Sequence, residues 1–174
     1  MAENEQEFRQ SIAAVVLRDE RLIPSYRTAQ LGIIKVTLSQ TDSDSGGTTV
    51  RNVLLIDDEE LLLKAYELHL SATANVDLAT TGEEALAALE SKHYPVIISD
   101  MHMPGMNGID FIIQAREKCP TSIFMLLTAS REKKTAVDAL NKAGVFCIIN
   151  KPCGMADLQD FVQAAFDEYE KQNR

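Results

Sequence analysis

The chain has 174 residues, 45% hydrophobic and 25% charged, with a formal net charge of −9. That length holds one ordinary domain and an appendage but cramps two full domains, and the acidic balance disfavours nonspecific attraction to nucleic acid or anionic lipid. No apolar run is long enough to span a bilayer, Met1 to Arg9 lacks the basic and apolar parts of a secretory signal, and Cys119, Cys147 and Cys153 lack the spacing of a disulfide framework or zinc site. The expectation is a cytoplasmic protein with reduced thiols, binding neither nucleic acid nor membrane.

Residues 1–50 carry a net charge of −2 and residues 51–174 a net charge of −7, so neither part is a basic arm. In the first part a helix is expected from about Glu5 to Leu22, with Phe8, Ile12, Val15 and Val16 roughly on one face and Pro24 after it. A short strand is expected at Ile34, Val36 and Leu38. The run SQTDSDSGGTT, Ser39 to Thr49, has no apolar side chain to bury and reads as a flexible linker. Two readings of this extension stand side by side: a docking or homodimerisation appendage, and a partly ordered tail.

From Asn52 onward apolar runs of strand length alternate with segments of helical period, the signature of an α/β domain with a parallel sheet covered on both faces. Strands are predicted at Val53–Ile56, Val76–Ala79, Val96–Ser99, Ile123–Leu127 and Phe146–Ile149. Helices are predicted at Glu59–Leu70, Glu83–Glu90, Ile109–Glu117, Lys133–Lys142 and about Ala156–Tyr169. The last carries Leu158, Phe161, Val162, Ala165, Phe166 and Tyr169 on one stripe. Thr81 followed by Glu84 matches a capping box with two reciprocal hydrogen bonds. The division is an extension over 1–50 and one doubly wound domain over 51–174.

In open α/β sheets, ligands bind beyond the carboxyl ends of the strands. The informative ends are Asp57–Asp58, Asp100, Thr128 and Asn150–Lys151–Pro152. Three carboxylates crowded on one rim repel each other unless a hard cation neutralises them, and Mg²⁺ (or Mn²⁺) suits an oxygen site that also leaves room for a phosphoryl group. A carboxylate can act as a covalent nucleophile toward phosphorus, with Lys151 and Thr128 supplying charge and a hydrogen bond.

LLIDDEE, IISDMHMPGMNG, LLTAS and INKPC together resemble the ordered motifs of bacterial response-regulator receiver domains, over roughly residues 52 to 170. The resemblance implies a flavodoxin-like fold with strand order 2-1-3-4-5. It further implies that Asp100 accepts a phosphoryl group from a histidine kinase or phosphotransfer protein, and that partner binding then changes. Asp58 and Asp100 would bind the metal directly, Asp57 mostly through water, and the His102 backbone carbonyl would complete the protein ligands. Thr128 would move toward the phosphoryl oxygen, Lys151 would pair with Asp100 or its phosphate, Ala129 would leave room, and Lys151–Pro152 would be cis.

One position departs from the family pattern: Ile148 stands where an aromatic side chain usually swings inward. Phe146, taken by strand alternation to share its face, is a substitute only if it is not simply core. His102 and Ser130 occupy the positions that tune phosphoryl lifetime. Gly105 and Gly108 read as turn residues after Asp100, Met101, Met103 and Met106 as apolar filler, and His69 and His93 as surface or helix-end residues. No recognisable effector follows the last helix, so output to an unknown downstream protein is expected through the surface of Lys133–Lys142, the fifth strand and the last helix. Two alternatives remain: a receiver cut from an effector, since LNKAGVFCIINKPC resembles receivers joined to HD-type cyclic-di-GMP phosphodiesterase modules, and a haloacid-dehalogenase-like aspartyl-phosphate hydrolase, disfavoured because Asp57–Asp58 is not DxD.

Overall fold

A computed structural model describes residues 51–129 and 143–174. The helix expected at Glu5–Leu22, the strand at Ile34–Leu38, the linker, Ser130 and the helix expected at Lys133–Lys142 lie outside the described residues. In chain order the elements are β1 (Asn52–Ile56), α1 (Glu60–Leu70), β2 (Asn75–Ala79), α2 (Gly82–Ser91), β3 (Val96–Asp100), α3 (Gly108–Lys118), β4 (Ile123–Ala129), β5 (Cys147–Lys151) and α4 (Met155–Gln172).

The five strands form one parallel sheet in the order β2-β1-β3-β4-β5, as the resemblance implies. Position explains composition. β1 and β3 are buried along their whole length and β4 up to Thr128, so both of their faces are apolar; β2 and β5 are the edges and are only half-buried. Alternation along the strands divides the interior into two layers. Leu54, Ile56, Ile97, Phe124 and Leu126 pack with Ala85 of α2 and with Phe111, Ile112 and Ala115 of α3. Val53, Leu55, Val96, Ile98, Met125, Leu127 and Ile149 pack on the other side with Leu63, Tyr66 and Leu70 of α1 and Leu158, Val162, Ala165 and Phe166 of α4. Among the described residues no helix is long and apolar enough to cross a membrane.

Three local details differ from expectation. β3, β4 and β5 run one or two residues further than their apolar runs, because the ladder continues through Asp100 opposite Leu127, Thr128 opposite Asn150 and Ala129 opposite Lys151. Asp100, Thr128 and Lys151 are therefore held by strand pairing rather than by loops, whereas Asp57 follows the end of β1. At α2 the Glu84 N–H donates to Thr81 Oγ1 at 3.1 Å, but the Glu84 carboxylate reaches past Thr81 to accept from the N–H of Thr80 at 2.7 Å and its hydroxyl at 3.0 Å. Half of the expected capping box forms, and the other half moves one residue upstream, where two donors are available. Phe146 precedes β5 and packs in the α1/α4 layer, whereas Ile148 packs in the α2/α3 layer. Strand alternation does not extend back to Phe146, so the two side chains do not share a face.

Candidate functional site

The carboxyl ends of β1, β3 and β5 bring three charged side chains together. Lys151 closes β5 and lies 2.6 Å from Asp57 Oδ2, just after β1, and 2.6 Å from Asp100 Oδ1, the last residue of β3. β4 lies between β3 and β5, so it takes the length of a lysine stem to reach across. Glu59 Oε1 is a looser third partner at 3.7 Å. Each aspartate is also held by the backbone: Asp57 Oδ1 accepts from the Glu59 N–H at 3.0 Å, and Asp100 Oδ2 from the His102 N–H at 2.6 Å.

Asp57 is fully buried and Asp100 nearly so. Burial pushes the Asp57 carboxyl up, outweighing the Lys151 ammonium and the hydrogen bond from the Glu59 amide, and the charge of Asp100 adds to the rise. Burial also works against the Lys151 ammonium, but the two carboxylates more than offset it and its pKa is raised. Two acids and one base leave a net negative charge inside the rim.

The expected metal set is only partly assembled. Among the described residues no group of three or more His, Cys, Asp or Glu side chains is placed to hold a metal ion. Asp58 is exposed, and Lys151 stands between Asp57 and Asp100. The donor set nevertheless fits a hard dication: it is all oxygen, its net charge is negative, and Asp57 Oδ2 has its ion pair but no well-oriented hydrogen bond. Of His102, the N–H engages Asp100, while its side chain is exposed.

Thr128 is buried on β4 at the same rim. Its single hydroxyl hydrogen has two acceptors within reach, Met101 Sδ at 3.5 Å and the Ala129 carbonyl at 3.3 Å, rather than Asp100. Ala129 is exposed at the lip, and the Lys151–Pro152 bond is cis. The loop after Asp100 is shaped by two glycines with different tasks. Gly105 has φ +80°, a turn conformation that L side chains rarely adopt. Gly108 is not a turn residue as expected but the first residue of α3, capped by Asn107, and a Cβ there would collide with the Asp100 carbonyl oxygen. α3 therefore butts directly against the backbone of the acidic residue. Sequence reasoning missed that contact and the sulfur acceptor for Thr128. The glycine seven residues before Ala115 on the buried stripe was the available signal for the first; nothing in the sequence signalled the second.

Residues 53–163 match the response regulator receiver domain family. The chain belongs to that family. It is 32% identical over 124 residues to the DNA-binding transcriptional regulator NtrC of Salmonella typhimurium, an alignment covering 70% of this chain and 26% of NtrC. The chain spans about a quarter of the length of such curated relatives. Among solved structures, an adenylate cyclase from Rhodopirellula baltica is 35% identical with a TM-score of 0.69, covering 71% of this chain and 92% of that one. A CheY-like receiver domain protein from Methanospirillum hungatei JF-1 is 26% identical with a TM-score of 0.67, covering 71% and 99%. Two-component signalling is the setting of this family, and the match supports a signalling module rather than the hydrolase alternative.

Proposed function

We propose that Asp100 accepts a phosphoryl group and that Asp57, Asp58, Thr128 and Lys151 serve that transfer. The observation that carries the proposal is the position of Lys151, 2.6 Å from both Asp57 and Asp100. One Asp100 carboxylate oxygen attacks phosphorus, and the bond from phosphorus to the donor's nitrogen or oxygen breaks with its electron pair leaving on the donor, which takes up a proton. The product is an acyl phosphate on Asp100. Lys151 then exchanges a carboxylate partner for a phosphoryl oxygen, which it holds as a charge-assisted hydrogen bond. Mg²⁺ or Mn²⁺, held by Asp57, Asp58, Asp100 and the His102 backbone carbonyl, would supply compensation for charge on the transferring oxygens.

The donor is a histidine kinase or phosphotransfer protein in the cytoplasm, and residues 51–174 are the receiver to which residues 1–50 are appended. Output passes to a downstream protein or domain through the surface around β5 and α4. Intact-mass measurement after treatment with acetyl phosphate and Mg²⁺ tests the reading: one added phosphoryl group on the wild type and none on Asp100→Ala. Equal labelling of both proteins would overturn it.

A further inference from the structure

We infer that Met101 is a positioning residue that parks the Thr128 hydroxyl in the resting protein and so tunes how readily the site takes its phosphoryl group. The inference rests on the phosphoacceptor reading of Asp100. Thr128 is only 3% exposed, so its hydroxyl needs an acceptor inside the protein. The neighbouring carboxylate is already engaged, with Lys151 on Asp100 Oδ1 and the His102 N–H on Oδ2. The hydroxyl turns instead to the Met101 thioether at 3.5 Å and to its neighbour's carbonyl at 3.3 Å.

The sulfur is attached to a rigid post. Met101 is 2% exposed, its N–H donates to the Leu127 carbonyl at 2.8 Å, and its carbonyl accepts from the Gly108 N–H at 3.1 Å. Gly108 in turn sits against the Asp100 carbonyl with no room for a Cβ. The backbone that aims Asp100 thus also fixes the sulfur that holds Thr128. A thioether is a weak acceptor, whereas a charged phosphoryl oxygen is a strong one. The hold is strong enough to favour one orientation and weak enough to be given up when phosphate arrives. An aliphatic side chain at position 101 would fill the same space without an acceptor, leaving the hydroxyl to the Ala129 carbonyl and removing the hold exerted through sulfur.

Two measurements test this on the full chain. In the resting protein, three-bond couplings from the Thr128 methyl carbon to backbone nitrogen and carbonyl should report one χ1 rotamer in the wild type, and a shifted rotamer population in both Met101→Leu and Met101→Ile. The rate of labelling by acetyl phosphate with Mg²⁺ should rise about threefold in Met101→Leu, the scale of one weak hydrogen bond, and should not change when the same substitution is made in Thr128→Val. An unchanged Thr128 rotamer, or equal rate effects with and without the hydroxyl, would overturn the inference. Absence of labelling at Asp100 in every variant would instead overturn the phosphoacceptor reading, and with it the role of the contact.

Discussion

Asp57 and Asp77 are both strand-associated aspartates paired with a lysine, yet the protein shifts their acidities in opposite directions. At Asp57 burial dominates and the pKa rises, although Lys151 lies 2.6 Å away. At Asp77, on β2, burial also acts upward, but the Lys92 ammonium at 2.7 Å and the Tyr94 hydroxyl at 2.6 Å outweigh it and the pKa falls. The difference is in how the cation is shared. Among the described residues Lys92 serves one carboxylate, assisted by a phenol; Lys151 divides its charge between two buried ones. Asp77 is a satisfied structural contact, whereas Asp57 and Asp100 share one cation at the rim where, in the proposed transfer, a metal ion and a phosphoryl group would enter. Neighbouring polar groups around the start of β3 follow the structural pattern, with Asn52 Nδ2 donating to the His93 carbonyl and Ser122 Oγ to that of Tyr94.

The strongest way to break this comparison is Lys151→Ala in metal-free buffer. It leaves two buried carboxylates without their cation and should cost about 3 kcal/mol in urea unfolding; a loss well below 1 kcal/mol would show that water already solvates the pair. Next in size is Asp77→Ala, which strands the Tyr94 hydroxyl and should cost about 1–2 kcal/mol, with Tyr94→Phe recovering part of the loss in the double variant. The smallest effect has the opposite sign. Asp57→Asn should raise stability at neutral pH without metal by about 1 kcal/mol, as expected where a functional site carries crowded charge.

The pH dependence sharpens the same contrast. Because the folded pKa of Asp57 is raised above its ordinary 3.8, the stability linked to it is fully present below that value and is lost as pH rises through the folded pKa. For Asp77, whose folded pKa lies below 3.8, the contribution is present above 3.8 and is lost as pH falls through the folded value. Unfolding free energies of Asp57→Asn and Asp77→Asn, each measured against wild type from acid to neutral pH, should therefore diverge from it in opposite directions. Parallel curves would contradict the assignment.

Much of this was legible before the structure. The apolar runs of β1, β3 and β4 reveal strands buried on both faces, and the polar residues ending those runs name Asp57, Asp100 and Thr128, with Lys151 closing β5. The order of the strands came from resemblance rather than from pattern. What the sequence did not disclose depends on how close the folded backbone brings particular atoms. The collision that keeps Gly108 a glycine involves a carbonyl eight residues away across a loop, and the sulfur beside Thr128 is brought there by strand pairing. Apolar character alone could not separate Met101 from Met103 or Met106. Strand alternation misled at Phe146 because β5 begins one residue later, at Cys147.

The central claim is that the carboxylate at the end of β3 becomes the acyl phosphate. Borohydride reduces an aspartyl phosphate to homoserine, so the most direct measurement is peptide mapping of the full chain after labelling with acetyl phosphate and Mg²⁺ and reduction. Homoserine at position 100 alone is the result predicted here. Homoserine at position 57 or 58, or none in labelled protein, would contradict it.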